Sequence, residues 1–224
     1  MAKQLEEKLR ADLIAVGNEI GHLWQHHDLF WRMIGITNNN ERVIEVGGDF
    51  LNWFRNSYIE AGSMAFRRQL DRNSRSISLV NLLLEIQKNH AHLTREGFQG
   101  KIAFAAGHPM HNMTKARWDE AGATFDAMFG NGRHLDPAIV QTDIDRLEAE
   151  GAAIREQVNK EIAHKDRKGM QGAKVTGDIF EQCVTHLDEL VNKYAHLLDG
   201  KPLGSLRPRF EYDIEEVFTF AWKA

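Results

Sequence analysis

Proline is nearly missing from this chain, and that constrains the fold more than any other feature. Only four occur in 224 residues, and none precedes Pro109. A proline inside a helix removes a backbone donor and clashes with the turn before it, so proline-free stretches leave helices free to run. In those stretches apolar residues recur at helical spacing. Leu5, Leu9, Leu13, Val16, Ile20, Leu23 and His27 fall near one stripe, with charged residues opposite. This predicts one long helix, or two joined helices, over 3 to about 36, which Gly17, Gly21 and Gly35 weaken. After the Asn38-Asn39-Asn40 turn, a second helix is predicted from about 41 to 71. Its stripe takes in Val43, Val46, Phe50, Trp53, Phe54, Tyr58, Ala61 and Ala65, and Gly47-Gly48 marks a kink or close crossing within it.

A third helix is predicted over 77 to about 89, capped by Ser76 or Ser78, with Ile77, Val80, Leu83 and Leu84 inward. Residues 90–135 read as irregular, with short helices near 93–105 and 114–128. Asp136-Pro137 is the sharpest start signal, since Asp caps well and Pro suits the first helical position. From it a helix is predicted over 137 to about 166, with a seam of Ile144, Leu147, Gly151, Ile154, Val158 and Ile162. Thr176 or Asp178 then caps a helix over about 178–199, with Ile179, Cys183, Leu187, Leu190, Tyr194 and Leu197 as its seam. Gly200 and Pro202 end it. The fold class this implies is all-α: an antiparallel helical bundle in one domain, 1–224, whose best-defined pair is 137–166 with 178–199. The segment from Phe210 to Ala224 is expected to pack on the bundle as a short helix or strap.

Composition narrows the function. Lys plus Arg is 28 against 32 for Asp plus Glu, a net charge of −4. That disfavours a surface devoted wholly to polyanions and leaves room for a local basic groove. Cys183 is the sole cysteine, so an intrachain disulfide and a Cys-rich metal knuckle are both ruled out. The stretch Met1 to Lys8 carries charge where an export signal needs an apolar run, and no apolar run approaches the ~20 residues of a membrane span. A cytoplasmic location without membrane contact is expected. Walker A, Gly-x-Gly-x-x-Gly and Gly-x-Ser-x-Gly patterns are absent, which disfavours the common α/β hydrolases and dehydrogenases.

One stretch stands out, Gln157-Val158-Asn159-Lys160-Glu161-Ile162-Ala163-His164-Lys165-Asp166, late on a long predicted helix. With Ala65-Phe66-Arg67-Arg68-Gln69-Leu70-Asp71, Ser76-Ile77-Ser78-Leu79 and the ending Phe218-Thr219-Phe220-Ala221-Trp222, it resembles the HEPN superfamily, in particular its abortive-infection class. Asn159, Lys160, Ala163 and His164 match that class's Arg-Asn-Lys-x-x-Ala-His-like stretch. The resemblance implies an all-α homodimer acting on or binding RNA or nucleotides, a toxin-antitoxin setting with an antitoxin partner, and no cofactor. Active relatives are metal-independent ribonucleases. In them a histidine moves protons at the ribose 2′-hydroxyl, and an arginine separated from it by four to six intervening residues holds phosphate. By that resemblance His164 is the acid/base, with Asn159 and Lys160 positioning phosphate or the helix end. The arginine positions are occupied by Gln157, Val158 and Asn159. Arg155 lies nine residues before His164, about 180° around a regular helix. A non-catalytic HEPN-like binding or structural module is therefore the alternative.

Two other constellations bear weighing. Arg67, Arg68, Arg72 and Arg75 cluster near a predicted helix end, with Lys165 on the later stretch. They suit either a phosphate or nucleic-acid patch or a solvated helix terminus. Glu19-x-x-His22 and Glu161-x-x-His164 would suit a di-metal bundle, and His22 and His26 lie one turn apart. In a chain with 11 histidines, two such pairs stand little above chance, so a metal-binding bundle ranks third and no metal ligands are assigned.

Overall fold

The computed structural model describes residues 2–41, 45, 47–105, 115–162, 175–210 and 216, and among them the regular elements are helical. In chain order they are α1 (Ala2–Asn38), α2 (Gly48–Gln69), α3 (Leu79–Lys88), α4 (Arg95–Ala105), α5 (Lys115–Phe129), α6 (Pro137–Glu150), α7 (Ala152–Gln157) and α8 (Gly177–Asp199). A short 3-10 turn, His90–His92, precedes α4, and a π-helical turn, Val158–Ile162, follows α7.

α1 and α8 form the spine. The predicted α1 stripe is the buried one, from Leu9 through Leu13, Val16, Ile20 and Leu23 to His27. Each such aliphatic side chain contributes about 1.5–3 kcal/mol by leaving water. The two helices run antiparallel: Arg10 pairs with Asp199 at one end, and His27 lies 3.6 Å from Glu181 toward the other. α8 is capped as its sequence asks. The Thr176 hydroxyl accepts from the Ile179 amide, and Gly200 takes the left-handed conformation (φ 73°) that ends it. Its seam residues Cys183, Leu187, Leu190, Tyr194 and Leu197 are all buried.

α2 returns antiparallel to α1, with Tyr58 beside His27 and Gln69 bonded to Glu19. Its inward face runs through Tyr58, Gly62, Phe66 and Gln69, at three- to four-residue spacing. Phe50 and Trp53, expected on the inner stripe, are instead 53% and 63% exposed, because they lie off that line. Val43 and Val46 fall outside the described residues. Gly47 is the N-cap of α2 rather than a kink inside it. α3 starts at Leu79 with Ser78 as cap, which leaves Ile77 outside the helix and exposed.

The short helices expected near 93–105 and 114–128 are α4 and α5, antiparallel and joined by Arg95 to Asp126 at 2.7 Å. Phe98, Phe125 and Phe129 pack there in one ring cluster. α6 lies antiparallel to α8, tied by Lys193 and Tyr194, which both donate to Asp143. The single helix predicted over 137–166 breaks at Gly151 and turns π-helical at Val158. No described helix is long and apolar enough to cross a membrane.

Candidate nucleic-acid interface

The end of α2 is fixed by a buried amide. Gln69, fully buried, donates to Glu19 on α1 at 2.7 Å and accepts from the Leu79 amide at 3.2 Å. Three helices thus meet where Arg67 and Arg68 project outward. The connection to α3 is knitted by Asp71. Its carboxylate accepts from the Asn73 amide (2.9 Å) and the Ser76 hydroxyl (2.7 Å), and its carbonyl from Ser78 (2.6 Å). These hydrogen bonds, the backbone one foremost, hold the Asp71 carboxyl below the usual carboxylate range. The Asp71, Ser76 and Ser78 of the family-like stretches thus do local structural work, presenting Arg72 and Arg75 on a firm turn.

Gly151 lets this end meet the helix that carries the family-like motif. A Cβ there would lie 2.7 Å from both Leu70 Cδ1 and Phe66 Cε1, so only glycine allows α2 to cross so closely. Past the crossing, α7 carries Arg155 to a groove of about 420 Å³ that Arg67, Arg68 and Arg72 also line. Glu148 and Asp71 complete the polar wall. Arg72 is engaged, donating to Glu148 at 2.8 Å, and Arg68 stands 3.9 Å from Glu19. Arg67 and Arg155 have no ion-pair partner among the described residues. Arg75 faces a different groove, between α1 and α3.

Of the motif residues, Asn159 is exposed and Lys160 half-buried. The Lys160 ammonium donates to Glu156 at 2.9 Å, one turn back. His164 and Lys165 lie outside the described residues, as does the Phe218–Trp222 ending. The π turn bears on the geometry of this stretch all the same. Closed by i→i+5 bonds, it displaces a continuing helix by roughly one residue, about 100°, relative to a regular one. The 180° separation of Arg155 from the residue nine positions on assumed a regular helix, and the described part of that helix is not regular.

Periodicity placed His27 on the α1 stripe, but it set Arg155 aside and gave no sign of the second buried histidine, His186. A readable signal for Arg155 was Gly151, a glycine on an inward seam, where a neighbouring helix comes close. His186 is buried with Nδ1 2.6 Å from Glu150 Oε2, while Arg146 holds the other carboxylate oxygen at 2.7 Å. Burial lowers the His186 pKa, and burial pushes the nearby Cys183 thiol up to about 11. That thiol points at the Glu150 carbonyl and is no ready nucleophile. His27 is buried among Trp24, Trp31, Tyr58 and Phe180, with the Tyr58 hydroxyl at 2.8 Å. His22 and His26 are exposed. Among the described residues, no group of three or more His, Cys, Asp or Glu is placed to hold a metal.

A family model of HEPN type, described as AbiU2, matches residues 6–217 and so spans both the arginine groove and the 157–166 stretch. No curated protein and no solved structure matches the chain.

Proposed function

Because the chain belongs to the HEPN AbiU2 family, a helical abortive-infection family, we propose that it binds RNA phosphates in the groove of Arg67, Arg68, Arg72 and Arg155. His164 is, in this reading, the acid/base of a metal-independent ribonuclease, with Asn159 and Lys160 beside it and Lys165 adding charge. The observation that carries the reading is that Arg67 and Arg155, neither of which makes a salt bridge among the described residues, line one groove at the foot of the motif helix, with Asp71 the acid whose charge Arg67 feels. Guanidinium matches phosphate with two parallel donors, and one outside a close salt bridge keeps those donors available. A near-neutral imidazole suits proton transfer at a 2′-hydroxyl. The active form is a homodimer, and the exposed Phe50 and Trp53 supply an apolar surface for a second copy to cover. The shared apolar core of the described helices supports treating 1–224 as one domain.

A specific observation favours a second reading, an RNA-binding module without catalysis. Lys160 is already committed to Glu156, and Gln157, Val158 and Asn159 stand where active relatives place arginine.

Fluorescence anisotropy with a single-stranded RNA, at several salt concentrations, tests the binding. Replacing Arg67 and Arg155 by Gln should weaken binding and lower the log–log salt slope by about 1.4, at roughly 0.7 for each phosphate no longer neutralised. An unchanged slope would place the RNA elsewhere. Cleavage assayed in a chelator then separates the two readings. Activity abolished by His164→Ala, with the fold intact, supports the ribonuclease. RNA bound but never cut supports the module.

A further inference from the structure

The aromatic cluster around His27 does more than fill space. Between the C-terminal half of α1, α2 and the N-terminus of α8 lies a second cavity, of about 210 Å³. An apolar cavity of about 150 Å³ accepts benzene, so this one has room for one or two fused rings. Its walls are aromatic and already set. Phe30 and Tyr58 stack at 3.9 Å and 6°, Trp31 stands edge-on to Phe30 at 5.4 Å, and Phe180 edge-on to Tyr58 at 5.9 Å. Two glycines make room for those rings. A Cβ on Gly62 would meet Phe180 Cζ at 2.9 Å, and one on Gly177 would meet Trp31 Cζ2 at 2.5 Å. The Tyr58 hydroxyl is turned away to His27, so Tyr58 offers the cavity its ring.

The polar groups at the cavity point to an anion. Ser63 lines it, is 1% exposed, and has no side-chain hydrogen-bond partner among the described residues. That hydroxyl can donate to a ligand oxygen in the cavity. Arg55 stands at the same cavity, exposed and without an acidic partner among the described residues. Thr176 and Gly177 bring the start of α8, a 23-residue helix whose N-terminal dipole favours negative charge. No lining residue is acidic. We propose that this cavity is a binding site for a small planar aromatic carboxylate, its ring among Phe30, Trp31, Tyr58 and Phe180 and its carboxylate on Arg55 near the start of α8. The site is separate from the arginine groove, and neither reading depends on the other.

The test is calorimetric titration of the full chain with 2-naphthoate, and with 2-naphthol as the ring without the charge. Saturable one-to-one binding of 2-naphthoate is expected, with a melting temperature that climbs with ligand concentration. Arg55→Gln should weaken 2-naphthoate by about tenfold or more, the scale of a broken charge-assisted pair, and leave 2-naphthol unchanged. Ser63→Phe should fill the cavity and abolish both. If that variant does not fold, Arg55→Gln, at an exposed position, still decides. No saturable binding of 2-naphthoate by the native chain overturns the proposal. So does 2-naphthoate affinity indifferent to Arg55→Gln, or a folded Ser63→Phe chain that binds like the native one.

Discussion

Gly151→Ala is the sharpest probe of how the fold builds the arginine groove. Alanine fits the backbone there, since Gly151 has φ −77° and ψ −3° and needs no left-handed conformation. By helix propensity alone the change should stabilise by about 1 kcal/mol. The new methyl, however, would lie 2.7 Å from both Leu70 Cδ1 and Phe66 Cε1 and 3.2 Å from the Leu147 carbonyl. Phe66 is wholly buried and has nowhere to go, whereas Leu70 sits at a helix end and can yield. Forcing a methyl into such a site costs about 1–3 kcal/mol at each rigid neighbour, so a net destabilisation of roughly 1–2 kcal/mol is expected. Gly35→Ala is the control, because a Cβ at Gly35 meets nothing within 4 Å. It should gain up to about 1 kcal/mol. Urea unfolding of both variants, with matching slopes, measures the contrast. A Gly151→Ala chain as stable as the native one would refute the close crossing of α2 over this seam, and with it the physical basis for Arg155 and Arg67 lining one groove.

How far the sequence revealed this depends on which force decided each element. Where one face is simply apolar, periodicity sufficed. The α1 stripe from Leu9 to His27 and the α8 seam from Cys183 to Leu197 are buried as their spacing implies. Caps were legible too, because Ser78, Asp136 and Thr176 act through bonds to amides two or three residues on. What spacing could not reveal was tertiary. Phe50 and Trp53 share the composition of a core stripe, and only the line that α2 presents to α1 leaves them outside. The π turn at Val158–Ile162 breaks the 100° rule on which the exclusion of Arg155 rested, and periodicity assumes that rule. The aromatic cavity joins α1 and α2 to residues of α8 more than a hundred positions away, so no local pattern announces it.

Two solution measurements probe the electrostatics. Asp71→Asn keeps an oxygen for the Asn73 amide but presents an amide to the Ser76 hydroxyl, so it should cost about 1 kcal/mol of stability, read in urea at pH 7. The native Asp71 contribution is present above the ordinary carboxylate range and is lost as pH falls through its lowered folded pKa, so native and variant stabilities should converge as pH drops below the ordinary carboxylate range. Histidines dominate nearer neutrality. Burial is the leading cause that lowers the folded pKa of His27, of His186 and of His196, whose ring packs on Phe98 at 5.1 Å. A lowered folded pKa means that below about pH 6.5 the unfolded chain takes up protons that the folded chain does not, so stability falls as pH drops. Each histidine can contribute at most about 1.4 kcal/mol per pH unit between its unfolded and folded pKa. Asp188, raised by burial, works in the opposite direction but only toward the carboxylate range. Unfolding free energy should therefore decline steadily from about pH 7 to about pH 5.5, and His196→Gln should flatten that decline by up to one proton's share. A native chain whose stability holds or rises over that interval would mean that these imidazoles are protonated in the folded protein, with Glu150 and Glu181 outweighing burial at His186 and His27.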